Sequence, residues 1–295
     1  MRTTGAAGSV AEFNESWNVR AHEARQNYYT AGVPVNQIML SFKNQWEVYR
    51  SFLGDIRPGA RSLEPGSGRG SISCYFAAAG YDAHLLDTSA EILRVAEDIF
   101  AENKLAARLV PADCLAMPFP DDFFDVIVHC GLLEHFEDYT APLAEQWRVL
   151  KPGGVIIANI VPKKRSVQTF FGFINRVLAA IRRLPEMLGI VRGVKKKEKP
   201  ALYRSSHGSE PYAAVLREWG ADIAYQGGIF PVPSLSYSPG FPFTLLPPLL
   251  ERMLVLLWRS VLAVRRMIWR HRHPWMCSEY WGQHVLVVAR KPMLP

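Results

Sequence analysis

The chain has 295 residues, nearly half of them apolar, and a formal charge of +7 at pH 7. A sizeable core can be buried at this length. The four cysteines, Cys74, Cys114, Cys130 and Cys277, lack CxxC spacing and a histidine partner at metal-ligand distance, which excludes a zinc site or a disulfide framework and fits a reducing compartment.

The net charge hides two unlike halves. Residues 1–162 carry 13 Lys/Arg against 20 Asp/Glu, and residues 163–295 carry 21 against 7. A basic half suits an anionic partner or a solvated face. MRTTGAAGSVAEFNE has no apolar signal core, and the apolar runs are too short or too broken to read as a span of roughly 20 residues. The expectation is a cytoplasmic protein, associated with a membrane at most at its surface.

In chain order, FNESWNVRAHEARQNYY and QIMLSFKNQWEVYRSFL read as helices, giving an N-terminal helical cap over residues 1–57. From 58 to 162 strands and helices alternate. ARSLEP is a strand ending at a glycine turn, SISCYFAAAG a helix closed by Gly80, DAHLLD a strand, and SAEILRVAEDIFAENK an amphipathic helix with Ser89 as N-cap. RLVPAD and FDVIVHC are further strands, and APLAEQWRVLKPGG is a helix whose stop leads into the strand GVIIANIV. Such alternation predicts a parallel sheet covered on both faces, with its ligand beyond the carboxyl ends of the strands. A basic insertion follows over 163–200, then a helix and sixth strand over 201–230, an apolar and basic lid insertion over 231–282, and a final strand over 283–295.

The turn LEPGSGRG, residues 63–70, is the chemical clue. A P-loop ends in Gly-Lys-Ser/Thr, and here Gly68-Arg69-Gly70-Ser71 stands instead. A dinucleotide fold needs G-x-G-x-x-G, whereas the spacing here is G-x-G-x-G. Glu64, just before the turn, would repel a pyrophosphate and attract a cation. Asp87 ends the second strand and Asp113 the third. Three carboxylates at successive strand ends suit a positively charged adenosine compound, Asp87 accepting from ribose hydroxyls and Asp113 from the adenine amine.

Residues 61–162 resemble the class I S-adenosylmethionine-dependent methyltransferases. LEPGSGRG is similar to their first motif, HLLD to their ribose-binding acid, PADCLAMPFPDDFFD to the region around adenine, RVLKPGG to the lead into their fifth strand, and CGLLEHFED to the segment after the fourth strand of small-molecule members. The resemblance implies an α/β, Rossmann-like sheet of seven strands with the last antiparallel, and S-adenosyl-L-methionine as cofactor. It implies that Glu64, Gly66, Ser67 and Gly68 line the methionine and ribose side, Asp87 and Thr88 the ribose, Asp113 and Cys114 the adenine, and that Cys130 offers its backbone. Proline at 65 departs from the family's usual nonpolar residue and removes one backbone donor.

Methyl transfer from a sulfonium is an in-line displacement, so placing the nucleophile about 3 Å from the methyl carbon in a dry pocket is the main task. If the acceptor loses a proton, His135, His129, Tyr28 and Tyr29 are the candidate bases, His135 first, in the loop after the fourth strand. An amine or an ionised carboxylate would need none. In LLERMLVLLWRSVLAVRRMIWRHR, Arg252, Arg259, Arg266 and Arg270 fall within about 40° of one another on a helix otherwise largely apolar. Residues 249–272 therefore read as an interfacial helix on an anionic membrane surface, or as a packed cap with an arginine edge. The predicted acceptor is a small hydrophobic or amphipathic molecule, such as a lipid, an isoprenoid or a natural product. A nucleic acid ranks lower because the basic residues interleave with aliphatic runs, not stacking aromatics, and a catalytically silent S-adenosylmethionine-binding adaptor is the other alternative. Oligomeric state is left open.

Overall fold

The computed structural model describes residues 28–188, 203–238, 245–270 and 272–293. Most of FNESWNVRAHEARQNYY and the basic run KKKEK fall outside them. Eight strands form one sheet: β1 (Arg61–Pro65), β2 (Asp82–Asp87), β3 (Arg108–Pro111), β4 (Phe124–Cys130), β5 (Leu150–Ile160), β6 (Asp222–Ile229), β7 (Met276–Cys277) and β8 (His284–Arg290). Their order is β3-β2-β1-β4-β5-β8-β6-β7. The strands from β1 to β5 pair in parallel, and β8 runs antiparallel between β5 and β6.

The seven strands expected from the sequence are all present, the last in sequence antiparallel. The eighth, β7, is a two-residue bridge from the lid insertion that pairs with Gly228 and Ile229 at the sheet edge. Two residues carry no periodicity, so the sequence could not announce it. Another difference lies at Lys-Pro-Gly-Gly: β5 begins at Leu150, and the pairing slips between Phe124/Leu150 and Val126/Val155. Pro152 has no N–H to give, and Gly153 has a φ of +76°, so the stop signal becomes a bulge inside the strand.

Around the sheet lie α1 (Gln37–Arg50), α2 (Ser73–Ala78), α3 (Ala90–Glu102), α4 (Thr140–Val149), α5 (Val167–Phe170), α6 (Gly172–Met187), α7 (Glu210–Glu218) and α8 (Pro248–Ile268). Side chains alternate across each strand, so one sheet divides two cores. Val126, Val128, Val155, Ile157, Leu286 and Val288 face α1, α2 and α3. Ile127, Ile156, Ala158, Val285 and Val287 face α4 and α7. Ser89 caps α3 as expected, accepting from the Ile92 amide at 3.3 Å, and Ile92, Leu93, Ala96, Ile99 and Phe100 supply its buried stripe.

The segment 234–236 of the insertion is pinned by side-chain amides. Gln37 bonds both backbone groups of Leu235, Gln168 bonds both of Ser234, and Asn175 bonds Ser234 and Ser236. A segment without a strand partner thus has its backbone groups satisfied. Glu251, buried at the start of α8, accepts from the Gln37 amide, from Gln37 Nε2 and from the Leu246 amide at 2.9–3.0 Å. That carboxylate ties α8 to the N-terminus of α1, where negative charge is favoured. Only Glu251, Val255 and Leu262 of α8 are buried. Trp258 and Val261 pack partly buried against the core, and most of the remaining helix faces outward.

Candidate active site

The strand order reverses between β1 and β4, and ligands of open α/β sheets sit at such a reversal beyond the carboxyl ends. The glycine turn leaves β1 there. Gly66, Gly68 and Gly70 have φ of +63°, +51° and +65°, a region that other residues occupy only with strain. A Cβ on Gly66 would lie 2.8 Å from Leu132 Cδ1, and one on Gly70 would lie 2.3 Å from Leu85 Cδ2. The turn is therefore closed by Leu132 on one side and wedged against β2 on the other.

Glu64 and Asp87 flank it, both buried. Glu64 Oε2 accepts from the Ser73 amide at 3.0 Å and from the Ser73 hydroxyl. Burial pushes the Glu64 carboxyl up to about 8, opposed by the Ser73 bonds and reinforced by Asp87. Asp87 Oδ2 accepts from the Gly68 amide at 2.9 Å and Oδ1 from the Ser89 amide at 3.0 Å. Desolvation also raises the Asp87 carboxyl, against the pull of those amides. Its first role is thus to join the turn to the start of α3, which the sequence reading did not include. Each carboxylate oxygen keeps lone-pair capacity for a ligand hydroxyl.

Asp113 Oδ1 accepts from the Leu115 amide at 2.9 Å, closing a turn after β3. Cys114 beside it is buried, and desolvation pushes its thiol up to about 12. Thr88 follows Asp87 and is half-buried. Cys130 ends β4, half-buried, its thiol raised first by burial and then by Glu134 and Glu64. Ser67 Oγ and Arg69 Nε are buried without a hydrogen-bond partner among the described residues. Buried polar atoms without partners are costly. These two atoms and the paired acids fit a ligand that is cationic at one end and carries hydroxyls at the other.

The four candidate bases have separate fates. His135 ends a single 3-10 turn, Leu133–His135, and its Nδ1 lies 2.8 Å from the Tyr203 carbonyl. His129 is fully buried, neither ring nitrogen has a hydrogen-bond partner among the described residues, and burial pushes it down to about 3. It has no surface through which to exchange a proton. Tyr28 accepts from Arg69 Nη1 at 3.1 Å, beside the glycine turn. Tyr29 packs edge-on against Tyr75 at 4.7 Å, and burial raises its hydroxyl. The structure brings Tyr28 to the turn and puts Tyr29 in the core.

Sequence reasoning passed over Glu134, Asn159, Gln45, Tyr49 and His284. Glu134 is fully buried one residue before His135, and burial pushes its carboxyl up to about 7 against nearby backbone amides and Arg204. The other four form a chain of hydrogen bonds along the same sheet edge. Their sequence separation is large, so only the glutamate left a signal, in CGLLEHFED.

Residues 63–158 match the family described as Methyltransferase domain. The ubiquinone/menaquinone biosynthesis C-methyltransferase UbiE of Vibrio campbellii is 32% identical over 117 residues, 38% of this chain and 45% of that protein. The enzyme of the same description from Cupriavidus metallidurans is 31% identical over 115 residues, 38% of this chain and 47% of the relative. The chain spans about half the length of the curated relatives it matches. The [4+2]-cyclase SpnF has a TM-score of 0.55 at 17% identity, covering 99% of this chain and 97% of that one. That likeness concerns the fold alone, since one fold hosts many reactions.

Residues 63–158 thus match a methyltransferase domain, set in a sheet whose strand order is that of the Rossmann-like class I fold. That family implies S-adenosyl-L-methionine as the methyl donor. Among the described residues no helix is long and apolar enough to cross a membrane, and no cluster of three His, Cys, Asp or Glu could hold a metal.

Proposed function

We propose that the chain transfers the methyl group of S-adenosylmethionine to a small hydrophobic or amphipathic acceptor, of the lipid, isoprenoid or natural-product kind. The observation that carries this reading is the pair of buried acids, Glu64 and Asp87, on either side of the left-handed glycine turn. When bound, the cofactor supplies an electrophilic methyl group on a sulfonium. Glu64 would attract the cationic methionine end, with Gly66, Ser67 and Gly68 lining it. Asp87 and Thr88 would take the ribose, Asp113 and Cys114 the adenine, and the Cys130 backbone would border the methionine. Opposite charge in a poorly solvated pocket is worth far more than in water.

The exposed helices support the nature of the acceptor. On α8, Met253, Leu256, Leu257, Val264, Met267, Ile268 and Trp269 are exposed, flanked by exposed Arg252, Arg259, Arg266 and Arg270. On α6, Phe173, Val177, Ile181 and Leu184 form a second exposed stripe, beside Arg176, Arg182 and Arg183. Apolar faces edged by arginine suit an anionic membrane surface. The relatives' names, which concern quinone biosynthesis, point to the same kind of acceptor. Incubation with methyl-labelled S-adenosylmethionine and an organic extract of the native cell tests the reading. A labelled apolar product is expected. Donor binding without any labelled product would instead favour a silent adaptor.

A further inference from the structure

The carboxyl edge carries polar side chains beyond the acids. Asn159, near the end of β5, pairs laterally with Cys130 of β4 and with Leu286 of β8. Neighbouring strands lie about 4.8 Å apart, so Asn159 and the start of β8 are one and two strands from the strand that borders the expected methionine. Asn159 is fully buried. Its Nδ2 donates to Gln45 Oε1 at 3.0 Å and to the Tyr49 hydroxyl at 2.7 Å, both on α1. The Tyr49 hydroxyl donates to Gln45 Oε1 at 3.2 Å, and Gln45 Nε2 donates to Ser41 Oγ at 2.9 Å.

With the amides so oriented, Asn159 Oδ1 faces His284 Nδ1 at 3.1 Å. A carbonyl oxygen accepts and never donates, so Nδ1 holds the proton of the neutral ring and Nε2 is its bare nitrogen. Nε2 has no hydrogen-bond partner among the described residues. Unlike His129, His284 keeps accessible surface. Phe230 meets the ring edge-on at 5.1 Å. The charges facing the ring are Arg204 and Lys164, and Arg204 also acts on Glu134 and Cys130. By strand register and hydrogen bonding, Asn159 stands between Cys130 at the end of β4 and His284 at the start of β8, all three at the carboxyl edge of the sheet.

We propose that His284 Nε2 takes the proton the acceptor loses on methylation, with Asn159, Gln45 and Tyr49 as positioning residues. This rests on the methyltransferase reading above. An electron pair of the acceptor carbon or oxygen forms the new bond to the methyl carbon, and the carbon–sulfur bond breaks with its pair going to sulfur. The sulfonium becomes a neutral thioether, the acceptor proton moves to Nε2, and the imidazolium later releases it to solvent. The pocket's total positive charge is unchanged. Burial, with Arg204 and Lys164, pushes the imidazole down to about 3, so it enters the reaction neutral. The proton moves late: an acceptor carbon or oxygen that has begun to bond the methyl carbon gains positive charge, and its C–H or O–H proton is then acidic enough to pass to a weak base.

Two measurements on the full chain test this together. In the first, nitrogen NMR of histidine-labelled protein should show His284 with Nδ1 protonated and Nε2 bare from pH 5 to 8. A proton on Nε2, which the reversed amide orientation of Asn159 would produce, overturns the proposal. In the second, transfer of labelled methyl to the native-cell extract should fall about 10²-fold or more in His284→Ala, with S-adenosylmethionine affinity within twofold of wild type and partial rescue by added imidazole. Asn159→Ala should lower turnover about tenfold and let the ring populate both tautomers, a signature that mere loss of packing would not give. If wild type turns over and His284→Ala keeps activity within threefold, this inference alone fails. If wild type labels nothing, the functional reading fails and carries the inference with it.

Discussion

The two ends of the sheet edge are built by opposite means. Around β1 and β2, local sequence does the work: a glycine turn, two acids and the amides they accept from lie within 26 residues, from Glu64 to Ser89. Around β5 and β8, the polar chain from Ser41 to His284 is assembled from α1 and two strands far apart in sequence. A donor shared by a whole family can be met by a fixed local constellation. The acceptor side differs between proteins, and long-range side chains can vary there without disturbing the turn.

The first way to break this comparison is to remove the acid that joins the halves of the donor site. Asp87→Ala deprives the Gly68 and Ser89 amides of their acceptor, and S-adenosylmethionine affinity in calorimetry should fall about 10²-fold, the scale of a charged hydrogen bond lost. Unchanged affinity would mean the donor lies elsewhere.

Glu64 sharpens the comparison through pH. Its folded carboxyl sits near 8, well above its ordinary value. A cationic ligand favours the ionised form, so binding releases a proton below pH 8. Affinity should therefore rise with pH up to about 8 and then level, and Glu64→Gln should flatten the profile. The same shift acts on stability with the opposite sense. Between the unfolded value and 8 the folded state holds the proton more tightly, so ligand-free stability is lost as pH rises through that window. Thermal unfolding at pH 9 should find Glu64→Gln more stable than wild type, and equal or lower stability would contradict the buried-charge account.

The glycines give a smaller effect. Gly70→Ala places a Cβ against Leu85 at a positive φ, and it should cost about 1–3 kcal/mol in denaturant unfolding. Gly66→Ala, facing Leu132 and the ligand side, should lower stability less and donor affinity more. The smallest effect concerns the outer surface. Neutralising any one of Arg252, Arg259 and Arg266 should weaken flotation with anionic liposomes about fivefold, each arginine near such a surface being worth about 1 kcal/mol. Indifference would reassign α8 to packing.

Much of the fold was readable from the sequence because periodicity and caps agree. Ser89, the stripe on α3 and the β-branched centre of β4 each specify one element and all came out in place. The bulge at Pro152 and the bridge β7 were hidden, since one looks like a helix stop and the other has no pattern at all. The stripe Phe173, Val177, Ile181 and Leu184 on α6 keeps helical spacing inside a segment whose composition is dominated by its basic residues. Glu64 and Asp87 were visible as candidates because each lies at the end of a strand. His284 was not, because a single histidine opening an apolar strand gains meaning only when Asn159 is seen across the sheet from it.

The central claim is that buried carboxylates beside a left-handed glycine turn select a positively charged adenosyl donor. Calorimetric titration of the full chain with S-adenosylmethionine and, separately, with NAD, in two buffers of different ionisation heat at pH 7, tests it most directly. The account predicts saturable S-adenosylmethionine binding with proton release and no heat from NAD. Binding of NAD, or silence toward S-adenosylmethionine, would contradict it.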